Sequence, residues 1–287
     1  MPNATQVDVR TAVVVPSLVS RAIFAVDEIR CGDLEVRLAS HAAEIDAAQA
    51  LRYSIFYEEM KARPSADMAR LKRDFDAFDL VCDHLIVCQR DIVIGTYRLI
   101  RRAGAELVGQ FYAESEFDIE PVRRFPGSVL ELGRSCVAPA HRQRATLHLL
   151  WRGIAAYVRR HGIGLMFGCA SLPGIDPEAH ALALSYLHHA HLAPPELRPH
   201  ARAERRGDMD RMPADAIDRR AAPLTLPPLV RGCLRPGGLI GDGAVIDHQF
   251  NTIDVCLLVR TDGVAERYLS FYERGLGGPL ANTDGLS

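Results

Sequence analysis

Apolar and polar residues alternate over Leu34–Leu38, a period of two that predicts a short first strand. The period then lengthens. Ile45, Leu51, Ile55 and Phe56 fall on one stripe at helical spacing within 41–60. His84–Cys88 and Ile92–Ile100 are β-rich runs, and Arg90-Asp91 between them predicts a hairpin. Val129–Val137 reads as a further strand, ended by Pro139. The clearest helix carries Leu147, Leu150, Trp151, Ile154, Ala155 and Val158 on one face, with Gly162 as its stop. Leu165–Ala170 predicts a short buried strand, and Glu178–Ala190 a helix introduced by Asp176-Pro177. From Pro194 to Pro228 the pattern dissolves into proline, arginine and aspartate, which predicts an inserted loop with room for a short helix. Ala244–Phe250 and Val255–Arg260 predict a closing strand pair, and Val264–Tyr272 a last helix.

The order β-α-β-β-β-α-β-α-β-β predicts an α/β fold with one mixed sheet flanked by helices. No repeat or linker divides it, so residues 31–275 are expected to form a single domain with its insertion at about 194–228. Residues 1–30 and 276–287 read as tails. Val13-Val14-Val15, framed by Arg10 and Arg21, is too short for an export signal, and no apolar run approaches the ~20 residues that span a bilayer. A cytoplasmic protein is expected.

Composition acts by exclusion. The chain is 48% hydrophobic and 24% charged, enough for a substantial core. A formal charge of -2 leaves no basic excess for nucleic acid. The seven cysteines form no C-x-x-C and sit largely in apolar runs, which fits reduced, buried thiols.

The most informative unit is the strand–turn–helix from Glu131 through Val137-Ala138-Pro139-Ala140-His141-Arg142-Gln143-Arg144-Ala145 to Leu147. Free amide N–H groups and the positive dipole end at such a helix start can hold a phosphate. This segment resembles the cofactor-binding strand and turn of GNAT acyltransferases, V-x-P followed by R-G-x-G-x-G/A, with Val137, Pro139 and Arg142 in register. The resemblance implies that Val137, Arg142, Arg144 and Ala145 hold the acyl donor. Ala145 and Leu147 stand where glycine normally lets the backbone approach a pyrophosphate. That departure favours acyl carrier protein, whose 4′-phosphopantetheine arm presents a single phosphodiester, over coenzyme A; no cofactor is expected to stay bound.

Four further motifs occur in one order: Leu51-Arg52-Tyr53-Ser54-Ile55-Phe56, Asp76-Ala77-Phe78-Asp79, Gly95-Thr96-Tyr97-Arg98-Leu99 and Glu131-Leu132-Gly133-Arg134. They resemble the L-R-x-x-V-F, D-x-x-D, G-x-x-R-L and E-x-x-R of acyl-homoserine-lactone synthases. The blocks Phe78–Val87, Glu131–Val137, Met166–Gly174 and Gly241–Asp247 are more similar to the L-ornithine N-alpha-acyltransferases that begin ornithine-lipid synthesis. That family resemblance spans about 34–272. It implies transfer of a (3-hydroxy)fatty acyl chain from acyl carrier protein to the α-amine of L-ornithine. The product would be a lyso-ornithine lipid, with peripheral contact at the inner membrane. The rivals are an acyl-homoserine-lactone synthase or other amino-acid N-acyltransferase, and a non-catalytic acyl-binding protein.

The residues suggest roles for these motifs. Glu131, a carboxylate within a predicted strand, is costly to bury unpaired. It reads either as a general base, direct or through water, or as an ion-pair partner of Arg134 or Arg98. Asp76 and Asp79 could converge on an ammonium, Arg98 and Arg134 on a carboxylate, and Arg52 would orient the acidic loop. An α-amine titrates near ~8 and a side-chain amine near ~10.4, so the α-amine is the expected nucleophile. His180, His188, His189 and His191 show no metal-ligand spacing, and no metal is expected. Cys136 and Cys169 read as buried thiols rather than nucleophiles, and Gly237–Gly243 as a turn rather than a P-loop. The arginine-rich stretch Arg198–Arg220 reads as a carrier-protein dock or a solvated loop.

Overall fold

The computed structural model describes residues 29–261, and the tails and the helix expected at 264–272 lie outside that range. The strands are β1 (Ile29–Cys31), β2 (Leu34–Leu38), β3 (Asp83–Gln89), β4 (Ile92–Arg101), β5 (Phe117–Asp118) and β6 (Ser128–Val137). They continue as β7 (Ile163–Pro173), β8 (His200–Ala201), β9 (Arg206–Gly207), β10 (Leu239–Ile240), β11 (Ala244–Asp247) and β12 (Thr252–Arg260). The helices are α1 (Ala42–Tyr53), α2 (Ala66–Leu71), α3 (Arg102–Val108), α4 (Glu120–Arg123), α5 (Arg144–Arg160), α6 (Ala181–His191), α7 (Ala222–Thr225) and α8 (Pro228–Leu234). A π-helical stretch, Ser54–Glu59, prolongs α1.

One sheet runs β1-β2-β3-β4-β6-β7-β12-β11-β9, with β10 also on β12. Its neighbours are antiparallel except for β6 and β7. That parallel pair needs a crossover, and α5 supplies it. Arg90 and Asp91 take φ of 47° and 69°, the left-handed pair that a two-residue hairpin demands.

The alternation of each strand divides the core between two faces. Leu85, Val87, Leu99 and Leu130 pack against Leu150, Ile154 and Tyr157 of α5. Farther along the same face, Ala170, Leu172, Val255 and Leu257 meet α6 and α8. The opposite face buries Ile100, Val129, Phe167 and Leu258 under the segment 102–125, whose Phe111, Phe117 and Val122 are wholly enclosed. That segment carries no long periodic stripe, so no element is expected there.

The stretch 194–228 is not a bare surface excursion. Leu197, Ala201, Met209 and Leu226 are buried, β8 pairs with β5, and β9 adds to the edge of the main sheet. Its arginines largely serve the chain itself. Arg206 and Arg211 pair with Asp242 and Glu178, and Arg198 and Arg202 donate to the carbonyls of Ala193 and Glu114.

Candidate active site

β6 and β7 pair only from Ser128–Glu131 against Ile163–Phe167. Beyond that point the strands part. β6 keeps its bonds to β4 on one side and β7 to β12 on the other, so the facing edges of 132–137 and 168–173 open onto a cavity of about 330 Å³. Two irregularities accompany the split. A register shift between Thr96 and Arg98 bulges the β4–β6 ladder, and Arg134 takes a left-handed φ of 52°. Bulges and left-handed non-glycine residues re-aim side chains and concentrate at functional sites. At the fork, a Cβ on Gly168 would stand 2.2 Å from the Leu132 carbonyl oxygen, so only glycine lets β7 approach there. Gly168→Ala should therefore lose about 1–3 kcal/mol, seen as a lower urea midpoint, because the backbone must shift to admit the methyl.

Glu131 lines this cavity and is buried. Neither Arg98 nor Arg134 is its bonded partner. The backbone N–H groups of Tyr112 and Ala113 donate to its two oxygens at 2.8 and 2.7 Å. Those amides open the 3-10 turn Tyr112–Ser115, so the carboxylate caps a helical turn from outside. Burial pushes its pKa up to about 7, against the two amides and the Arg98 charge, which pull it down. Each carboxylate oxygen has a second lone pair, so a cavity amine or water still finds an acceptor there.

The acidic loop differs from its expected role. Arg52, fully enclosed, reaches Asp74 through Nε and Asp79 through a terminal nitrogen, both at 2.7 Å. Arg98 bonds Asp76 at 2.6 Å and stands 3.6 Å from Asp79. Arg134 lies 3.3 Å from Asp74 and 3.5 Å from Asp76. Asp79 also accepts the Asp76 amide, and Asp76 caps Phe78. Burial would raise the Asp76 pKa, but Arg98 and Arg134 outweigh it and hold the group below its usual range. Three carboxylates thus answer three guanidinium groups within one buried cluster. Asp76, Asp79 and Arg52 do not line the cavity; Arg98 and Arg134 do. Asp76 and Asp79, expected at an ammonium, thus stand outside the cavity in ion pairs with Arg52, Arg98 and Arg134, and Arg52 ties the loop against which the two cavity arginines pack.

Arg134 presents its guanidinium between the rings of Tyr112 and Phe250, 4.7 and 4.8 Å from their centroids. Stacked on both rings and paired with Asp74 and Asp76, the guanidinium is held in one orientation in the cavity wall. Among the residues expected to hold the acyl donor, Val137 is a buried part of the cavity wall. Arg142 also reaches the cavity, but it is engaged by both Glu59 oxygens at 2.6 Å and by the Val137 carbonyl. Arg144 is exposed at the first position of α5, and Ala145 is half-buried beside it. Gln143 gives this helix no side-chain cap, which leaves first-turn amides available to an anion. Cys136 is buried with its pKa raised to about 12, and burial raises Cys169 further, so neither is a thiolate nucleophile.

Residues 51–152 match the family profile described as Acetyltransferase (GNAT) domain. An L-ornithine N(alpha)-acyltransferase of Agrobacterium fabrum (strain C58 / ATCC 33970) is 50% identical over 252 residues, covering 85% of this chain and 86% of that protein. The chain belongs to the L-ornithine N(alpha)-acyltransferase family. A second member, from Rhizobium meliloti (strain 1021), is 48% identical over 86% of this chain and 87% of its own. A solved CoA-dependent acyl-homoserine lactone synthase is 15% identical over 83% of this chain and 84% of its own, with a TM-score of 0.48. The chain is an N-acyltransferase on a GNAT-like mixed sheet, as its motifs implied. No helix of the described residues is long and apolar enough to cross a membrane.

Proposed function

We propose that this chain transfers a fatty acyl group from the 4′-phosphopantetheine arm of acyl carrier protein to the α-amine of L-ornithine, giving a lyso-ornithine lipid. The acceptor is taken from relatives 43–50% identical that bear that activity as their name. The observation that carries the transfer geometry is the fork of β6 and β7, with Glu131 at its root and Arg134 in its wall. Unpaired strand edges can receive the amide groups of an extended pantetheine arm as a further strand would. The thioester carbonyl then lies among free backbone N–H groups, the environment that stabilises an oxyanion. Glu131, with a pKa near the working pH, takes the proton from the incoming amine directly or through water; as the C–N bond forms, the C–S bond breaks and the pantetheine sulfur leaves as a thiol, taking up that proton. Arg134, with Arg98 beside it, receives the carboxylate of the amino acid. The product is a single-chain amphiphile, which brings a cytoplasmic enzyme to the inner membrane surface.

The test is to offer the purified protein acylated carrier protein and a panel of amino acids, then weigh the products. N-acylornithine should dominate. Thioester loss that needs no amine, or a better acceptor than ornithine, would end this reading.

Donor choice has its own measurement. Ala145 and Leu147 add side chains where a pyrophosphate needs bare backbone, so kcat/KM with acyl carrier protein should far exceed that with acyl-coenzyme A. Docking of an acidic carrier beside exposed Arg144 should weaken with salt, so the donor KM should rise as the Debye length contracts toward ~8 Å. Equal kcat/KM for the two donors would remove the carrier protein from the proposal.

A further inference from the structure

Three carboxylates that the mechanism above does not use meet beside the same cavity, two of them in its wall. Glu116 directly follows the turn that holds Glu131, Asp247 ends β11, and Asp254 sits within β12. One oxygen of each lies within 4.8 Å of the others. All three side chains belong to residues no more than 4% exposed, and Asp247 and Asp254 line the cavity. Burying three carboxylates together is costly without a counter-charge. Arg205 stands 3.9 Å from Asp247, beyond hydrogen-bonding distance, and is itself partly solvated. The other Asp247 oxygen accepts the Gln249 and Phe250 amides. Glu116 Oε2 and Asp254 Oδ1, both enclosed, have no hydrogen-bond partner.

We propose that Glu116, Asp247 and Asp254 form the receptor for the side-chain ammonium of a diamino-acid acceptor, and so set the preference for ornithine over amino acids with uncharged side chains. This rests on the acceptor reading above. The dimensions suit the ligand. With no edge of the triangle longer than 4.8 Å, its centre lies at most about 2.8 Å from the corners when the edges are equal, within reach of a charge-assisted N–H···O bond. A primary ammonium carries three donors for three oxygens, whereas Ca²⁺ takes ~6–8 oxygens. With the side-chain nitrogen held charged among carboxylates, it cannot attack, and the α-amine remains as nucleophile.

The cluster also sets a pH signature. Burial first, then Asp254 and Asp247, push Glu116 up to about 8, against its bond to Cys169 and the charge of Arg205. Burial and Asp247 push Asp254 up to about 6, against the nearby Ser171 and Thr252 hydroxyls and the same Arg205. Without ligand the cluster holds protons, and an incoming ammonium must displace them. Affinity for the side chain therefore grows as pH rises through this range.

The experiment compares L-ornithine with L-norvaline, which lacks only the terminal nitrogen, using the full chain. Ornithine should raise the Tm more than norvaline, and the difference should widen from pH 6 to pH 8, with or without EDTA. Asp254→Asn and Glu116→Gln should remove that difference. They should raise the KM for ornithine by about thirtyfold or more, the usual cost of removing one partner of a desolvated charge contact, while the norvaline KM moves less than threefold. Folded variants that keep the ornithine preference within threefold would overturn the assignment, as would a wild-type difference that is flat with pH. EDTA sensitivity reversed by Ca²⁺ or Mg²⁺ would make this a metal site instead. If Asp254-dependent binding of ornithine is found in a chain that acylates another amine, the acceptor reading falls and this one stands.

Discussion

Arg52→Met should cost the fold about 3–5 kcal/mol, the penalty for leaving buried charges without their partner. Arg52 is wholly enclosed, and it ties Asp74 and Asp79 together from two ends of one guanidinium, the nitrogen on Asp79 donating also to the Asp74 carbonyl at 2.6 Å. Once it is gone, the nearest substitutes are poorly placed. Arg134 stands 3.3 Å from Asp74 and Arg98 3.6 Å from Asp79, each already committed to Asp76. The urea midpoint should fall by about 1 M or more for a chain of this size. Activity should fall with it, because the same loop fixes the two cavity arginines. Arg52→Lys should rescue little, since a point charge cannot reproduce a two-headed contact. Asp79→Asn should behave alike and impair both substrates, where a direct ammonium ligand would have raised the ornithine KM alone. A midpoint within 0.3 M of the parent for Arg52→Met would show that the loop neutralises itself in some other way.

Strong periodicity made most of the sheet and α5 legible in advance. Leu147 to Val158 and the Arg90-Asp91 hairpin each rest on local signals that tertiary context did not override. The segment 102–127 escaped because its helices are four to seven residues long and interrupted by Gly104, Gly109 and Pro121. That gap reached the site, since Tyr112, Ala113 and Glu116 all lie there. Glu131 could be singled out as a charge in a strand, but its amide partners come from residues nineteen and eighteen positions earlier. The D-x-x-D motif marked a loop that packs on the two cavity arginines without entering the cavity itself. Spacing shows that Asp76 and Asp79 converge; it does not show that Arg52, Arg98 and Arg134 converge on them as well. Asp254 had a signal of the same kind as Glu131, a carboxylate inside the apolar run from Ile253 to Val259, and Asp247 closes a block already matched to the family. What joins those two with Glu116 is the meeting of β11, β12 and a distant turn, which no local pattern encodes.

Glu131→Gln should lower turnover by about 10²–10⁴-fold, the range for loss of a general base, in a chain that still folds. The substitution is not silent structurally. Both carboxylate oxygens accept amide protons, from Tyr112 and Ala113, and glutamine offers one oxygen and one NH₂. One of those amides then faces a donor, at a cost of about 1–3 kcal/mol. Two pH profiles separate this cost from catalysis. The Glu131 pKa is raised by burial to about 7, so the protonated form is favoured in the fold, and its contribution to stability is lost as pH rises through that value. The rate responds with the opposite sign, because only the carboxylate accepts a proton, and kcat/KM should climb through the same pH. Glutamine should abolish both limbs. If the stability limb disappears while the rate stays within tenfold and still climbs near pH 7, Glu131 serves only to cap the turn at Tyr112, and another group takes the proton. If the rate limb vanishes with the turnover, the same carboxylate that fixes this turn also deprotonates the amine, and the burial that destabilises its charge is what brings its pKa to the working range.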